Sequence, residues 1–179
     1  MLVPFTTTEE AWRALEEQGE WAEGEGLNLF EHGLQTAEGL EAAGAAPDVI
    51  VAGLLHDLGD GRVSSAEHAP WAAELVRPLF GERVAWLIAA HAEAKRYIVT
   101  TEPAYHATLS PVSQQTLIEQ GGVMTDEEVR EFESHPWAKE AVLLRQCDDA
   151  GKRRDYEVPD RERFRTMLDL VAARSAIGG

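Results

Sequence analysis

Three apolar, helix-like stretches of this chain each lead to a histidine. Leu29-Phe30 precede His32, Val51-Ala52-Gly53-Leu54-Leu55 run into His56, and Trp86-Leu87-Ile88-Ala89-Ala90 lead to His91. A polar or charged group on a buried helical face costs free energy unless something compensates it. The second stretch sharpens the problem, because Asp57 follows His56 directly. Any fold that brings the three faces together needs a shared polar interior site. A metal ion satisfies neutral imidazoles and carboxylates at once. Adjacent helical residues point about 100° apart, so His56 and Asp57 can flank a metal from a helix end, with Asp57 free to bridge two ions. A solvent-facing helix end explains one such pair, but not three apolar stretches each leading to a histidine.

Helix signals recur, and no convincing alternating β-branched run competes with them. Thr7 with Glu10 and Thr125 with Glu128 have capping-box spacing. Residues 27 to 43 place Leu27, Phe30, Leu34, Ala37 and Leu40 at helical intervals, with Gly44 as the stop. Pro47 fits the first turn of a helix running to about Asp57. Ser65 is expected to cap a helix through Leu79, and Gly81 to start another reaching Tyr97. Ser110-Pro111 opens a helix closed by Gly121-Gly122, and further helices cover 136–150 and 160–175. The expectation is an all-α helical bundle, with residues 1–179 forming one domain.

Composition narrows the partners. The formal net charge of -16 disfavours a nucleic-acid partner. No apolar run approaches the roughly 20 residues that span a bilayer. The N-terminal residues lack the features of a signal peptide. Cys147 is the single cysteine, which excludes an intrachain disulfide and fits a cytoplasmic location. Basic residues gather around Lys95-Arg96 and across Arg145, Lys152, Arg153 and Arg154, so a small anionic ligand is compatible with the acidic whole.

The order His32, His56-Asp57, His68, His91, Asp148 resembles the HD-domain superfamily of helical metalloproteins, in the pattern of members that hold two metals. Asp149 is the alternative to Asp148; the latter is preferred because Arg145 precedes it by three residues. The segments "NLFEHGLQTAEGL", "GLLHDLGD", "HAEAKRYIVTTEPAYHATLSPVSQQTL", "QGGVMT" and "LRQCDDAGK" are similar to the phosphonate-degradation branch, the mixed-valent di-iron oxygenases typified by 2-amino-1-hydroxyethylphosphonate dioxygenase and distantly related to myo-inositol oxygenase. The similarity covers about residues 25–155, and the block from His91 to Thr116 is its most specific part.

That resemblance implies two irons, Fe2+ and Fe3+, bridged by Asp57. One is held by His32, His56, Asp57 and Asp148, the other by Asp57, His68 and His91, with Asp57, His68 and His91 taking part in catalysis. It assigns the substrate's phosphonate group to Lys95, Ser113, Thr116 and Arg145, and its amino end to Glu25. Fixed cations with short hydroxyl donors suit a dianion. The implied reaction consumes O2 and cleaves the carbon–phosphorus bond of a small 1-hydroxyphosphonate, giving phosphate and a carboxylic acid. Relatives carry a tyrosine that reaches iron where this chain has Ala22, beside Trp21, so an open iron position is expected there. The same ligands serve a phosphohydrolase that activates water on a phosphate ester or nucleotide, or a metal-binding regulator without turnover. The Lys95, Ser113, Thr116 and Arg145 set favours the oxygenase. Sequence leaves the oligomeric state open.

Overall fold

A computed structural model describes residues 2–20 and 27–178. Among them the chain forms eight α-helices: α1 (Thr8–Gln18), α2 (Leu29–Ala42), α3 (Pro47–Leu55), α4 (His68–Thr101), α5 (Pro111–Glu119), α6 (Asp126–Ser134), α7 (Ala138–Ala150) and α8 (Glu162–Gly178). A 3-10 turn over Pro103–Thr108 joins α4 to α5. The all-α class expected from the sequence is the one observed. No helix among the described residues is long and apolar enough to cross a membrane.

Local chemistry sets most helix ends. Thr7 with Glu10 and Thr125 with Glu128 form complete capping boxes at α1 and α6. The Ser110 side chain accepts the Ser113 amide ahead of Pro111. Such caps are each worth about 1 kcal/mol. Gly44 adopts φ 75° just beyond α2, a conformation that a β-carbon disfavours.

One expectation needs correction. Ser65 does not cap a helix: α4 begins at His68, and no side chain caps it. The Ser64 carbonyl instead accepts the amides of both Glu67 and His68, making a tight turn that swings His68 inward. The break expected near Gly81 is observed (φ 83°, ψ 177°), with a helical arm on either side of the kink. Thus α4 is one element in two arms, the first opening with His68 and the second carrying His91 and Lys95.

The core lies where α4 packs on α7 and α2 packs on α3 and α7. Trp12, Leu34, Leu54, Leu87, Leu144 and Phe164 are fully buried there, each worth roughly 1.5–3 kcal/mol of burial. Helix α5 is outside this cluster. It rests on a separate small one formed by Val99, Leu109 and Leu117, and lies over the part of α4 that carries His91 and Lys95.

Candidate metal centre

Close backbone approaches bring the histidines together. A β-carbon on Gly33 would lie 2.7 Å from the Leu54 carbonyl oxygen. Its absence lets α2 press on α3, so the His32 and His56 rings sit 5.1 Å apart. A β-carbon on Gly59 would lie 2.2 Å from the His68 carbonyl oxygen, so the loop after Asp57 crosses the start of α4 only with glycine at that point. The buried Gln18 amide, at the end of α1, donates to the Asp57 carbonyl at 2.8 Å.

All four imidazoles are oriented in the same way. Nδ1 donates to a backbone carbonyl: His32 to Gly151 at 3.0 Å, His56 to Gly53 at 2.7 Å, His68 to Ser65 at 2.6 Å, and His91 to Ile88 at 2.6 Å. The last three bonds each reach back three residues along the chain. A carbonyl only accepts, so each Nδ1 must carry the proton, and a neutral ring then keeps its lone pair on Nε2.

The four Nε2 atoms converge on two carboxylates. Asp57 Oδ2 lies 3.4 Å from His32 and 3.1 Å from His56, while its Oδ1 lies 3.6 Å from His68 and 3.7 Å from His91. Asp57 therefore faces both pairs of nitrogens, one pair per oxygen. Asp148 Oδ1 is 3.2 Å from His32, and Oδ2 is 3.8 Å from His56. Asp148, and not Asp149, faces the histidines. Asp149 turns away to bond Arg145 and Tyr105.

These donors fit a metal. The Nε2 of fully buried His56 has no hydrogen-bond partner. The Nε2 atoms of His68 and His91 stand 3.0 Å apart, and with both Nδ1 protons committed they present two lone pairs to each other. Two nitrogens bound at right angles to one ion at about 2.1 Å are about 3.0 Å apart. A cation resolves both the orphaned nitrogen and the facing lone pairs. Imidazole with carboxylate suits iron, manganese or zinc.

Packing these charges together shifts how each group titrates. Burial alone would depress His32, but Asp148 and Asp57 override it and lift its pKa well above the usual histidine range. His56 is raised in the same way, against burial, chiefly by Asp57. His91 moves far down, because burial and then neighbouring His56 and His68 disfavour its charge. Against their own burial, Asp57 is held well below the carboxylate range by His56 and His32, and Asp148 by Arg145 and His32.

A cationic wall faces the same cleft. Lys95 lies one turn beyond His91, is only 2% exposed, and donates to Thr116 Oγ1 at 2.7 Å. Burial, and then the charge of Arg145, bring its pKa down to about 8. Arg145 donates from Nη1 to Asp148 at 2.7 Å, and from Nε to Asp149 and to the Tyr105 hydroxyl at 3.2 Å each. With Nη2 also on Asp149, one hydrogen remains on each terminal nitrogen. Lys152 Nζ approaches Ser113 Oγ at 3.4 Å. His32, Asp57, His68, His91 and Asp148 line one cleft together with Lys95, Ser113, Thr116, Arg145 and Lys152.

The structure thus brings together ten of the residues singled out from sequence; Glu25, Ala22 and Trp21 lie outside the described residues. Sequence reasoning assigned no site role to Gln18, Ser65, Tyr105, Gln120 or Lys152. Only Lys152 left a signal, as part of a basic cluster.

The family model for the HD domain matches residues 29–149, which contain every one of these converging histidines and aspartates. The chain is 37% identical over 158 residues to the glycine-betaine-forming 1-hydroxy-2-(trimethylamino)ethylphosphonate dioxygenase of Leisingera caerulea, covering 83% of this chain and 81% of the relative. It is 33% identical over 172 residues to hydroxymethylphosphonate dioxygenase of Gimesia maris, covering 90% and 86%. The chain belongs to the HD-domain family, in its phosphonate-dioxygenase branch. For an HD-domain protein the paired His56-Asp57 is the eponymous feature; here Asp57 lines the cleft and His56 is fully buried beside it. The two relatives differ by name in what their substrates carry beyond the hydroxyl-bearing carbon, so membership leaves that part of the substrate open.

Proposed function

We propose that this chain, working as one HD domain, is a di-iron dioxygenase that cleaves the carbon–phosphorus bond of a small 1-hydroxyphosphonate with O2. The observation carrying this reading is that Asp57, on which four Nε2 atoms converge, and a buried cationic wall share one cleft. His32, His56, Asp57 and Asp148 would hold one iron, and Asp57, His68 and His91 the other. When bound, the iron pair supplies O2 activation and the redox chemistry of the cleavage.

The chain's own residues bind and orient. Lys95, Thr116, Ser113 and the free hydrogens of Arg145 meet the phosphonate oxygens, and Lys152 adds charge beside Ser113. Holding the phosphonate there directs the hydroxyl-bearing carbon toward Asp57, between the two nitrogen pairs. Burial of Lys95 and Arg145 in a water-poor wall strengthens each contact relative to water. Glu25 would meet a cationic amino end. The relatives' activities support this reading, as does the match between a dianion and this set of donors.

The stoichiometry is fixed: one hydroxyphosphonate and one O2 give one carboxylate and one phosphate. Oxygen uptake and phosphate release are measured together on iron-loaded protein, with hydroxymethylphosphonate and its 2-amino and 2-trimethylamino relatives. The expected result is equal uptake and release, with no phosphate under anaerobic conditions. Release from phosphate esters without O2, with the hydroxyphosphonates inert, would replace this reading with a hydrolase.

A further inference from the structure

Gln35 is a buried amide, 2% exposed, with no place in the metal set or the cationic wall. It lies three residues beyond His32 on α2, with Glu38 three further, so the three side chains share one helical face. A buried amide left without partners is costly, and this one has three. Nε2 donates to the carbonyls of Arg153 and Tyr156 at 2.9 Å each, and Oε1 accepts the Arg153 amide at 2.9 Å. Two carbonyls on one side and an N–H on the other fix the amide orientation.

The residues held there form a strap leaving the end of α7. His32 ties its start, donating to the Gly151 carbonyl at 3.0 Å. A β-carbon on Gly151 would lie 2.8 Å from Thr36 Oγ1, so the strap presses this closely on α2 only with glycine there. Glu38 ties its far end, accepting from the Tyr156 hydroxyl at 2.8 Å and the Arg153 guanidinium at 2.7 Å. Both neighbours of Lys152 are thus held against α2, while its Nζ reaches into the cleft, 3.4 Å from Ser113 Oγ. A lysine carries its charge on a flexible stem, so a fixed backbone is the part of its placement that the fold supplies.

We propose that Gln35, supported by Glu38, is a positioning residue for substrate: it locks the 151–156 strap so that Lys152 meets the phosphonate oxygens beside Ser113. This rests on the phosphonate reading above. Neither Gln35 nor Glu38 is among the described residues that line the cleft, so their effect on substrate passes through the strap. The strap joins two functions, because the same run of backbone that orients His32 through Gly151 delivers the cation of the next residue.

The test measures hydroxymethylphosphonate affinity by calorimetry on iron-loaded, oxygen-free protein, in samples of equal iron content. The set is wild type, Lys152→Met, Gln35→Met, Glu38→Ala, and each of the last two combined with Lys152→Met. Loss of a charge-assisted contact should lower affinity about tenfold in Lys152→Met. Gln35→Met and Glu38→Ala should each weaken binding severalfold, yet add little to Lys152→Met, because changes that act through one contact are not additive. Glu38→Ala leaves the buried amide in place and decides the matter where Gln35→Met loses its fold. Losses that add in full, or strap variants that bind as wild type does, overturn the proposal. In turnover the strap variants should raise KM with kcat nearly unchanged; a fall in kcat alone assigns Gln35 to His32 and also overturns it. Oxygen uptake on the same samples separates the two claims: the non-additive pattern without oxygen consumption sinks the oxygenase and leaves the strap standing.

Discussion

Lys95 makes the substrate wall sensitive to alkaline pH. Its Nζ is buried beside Thr116, and burial with the nearby Arg145 charge lowers its pKa to about 8. A lysine is cationic below its pKa, so attraction for a phosphonate dianion is present below about 8 and fades as pH rises through that value. Iron in the cleft adds positive charge and moves the limb lower, not higher. A hydrogen bond to a charged group contributes about 1.5–3 kcal/mol, so full loss lowers affinity roughly ten- to a hundredfold. The assay is kcat/KM for a hydroxyphosphonate from roughly pH 6 to 10, which reports on ionisations of the free enzyme and substrate. The expected result is a falling limb at or below about 8 in wild type. Lys95→Met should lie tenfold or more lower at neutral pH, without that limb and with unchanged iron content. An identical limb in Lys95→Met would assign the titration elsewhere and refute the argument.

Three further outcomes are expected. Tyr105→Phe removes one of the groups that fix the Arg145 guanidinium; KM for the phosphonate should rise several-fold with little change in kcat, and a change confined to kcat would contradict a positioning role. Gln18→Leu strips the Asp57 carbonyl of a buried donor, at a cost of about 1–3 kcal/mol in denaturant unfolding and with weaker iron retention; unchanged metal affinity would show that Asp57 is held without it. Gly59→Ala forces a β-carbon onto the His68 carbonyl, so unfolding should show a loss of about 2 kcal/mol or more, and a stable, fully metallated variant would mean that the loop gives way freely.

The converging histidines and aspartates were legible because their spacing and the apolar stretches before them are sequence properties. His32, His56 and His91 announce themselves as polar groups at the end of buried faces, and Thr7 and Thr125 announce helix starts through bonds within one turn. What sequence could not give depends on contacts between distant segments. Ser65 has the chemistry of a cap, but the tight turn at Ser64 starts α4 later and turns Ser65 toward the cleft. Gln120 reads as an ordinary polar residue at a helix end until α5 folds across α4 and buries its carbonyl oxygen. Asp148 and Asp149 differ only in the direction each takes from α7, which the packing of Arg145 and Tyr105 decides.

The central claim is that Asp57 holds one metal on each carboxylate oxygen, with His32, His56 and Asp148 on one side and His68 and His91 on the other. Iron content of anaerobically reconstituted protein, measured for wild type and His68→Ala, tests it most directly. The account predicts two irons per chain in wild type and about one in His68→Ala. One iron per chain in wild type, unchanged by the substitution, would contradict it.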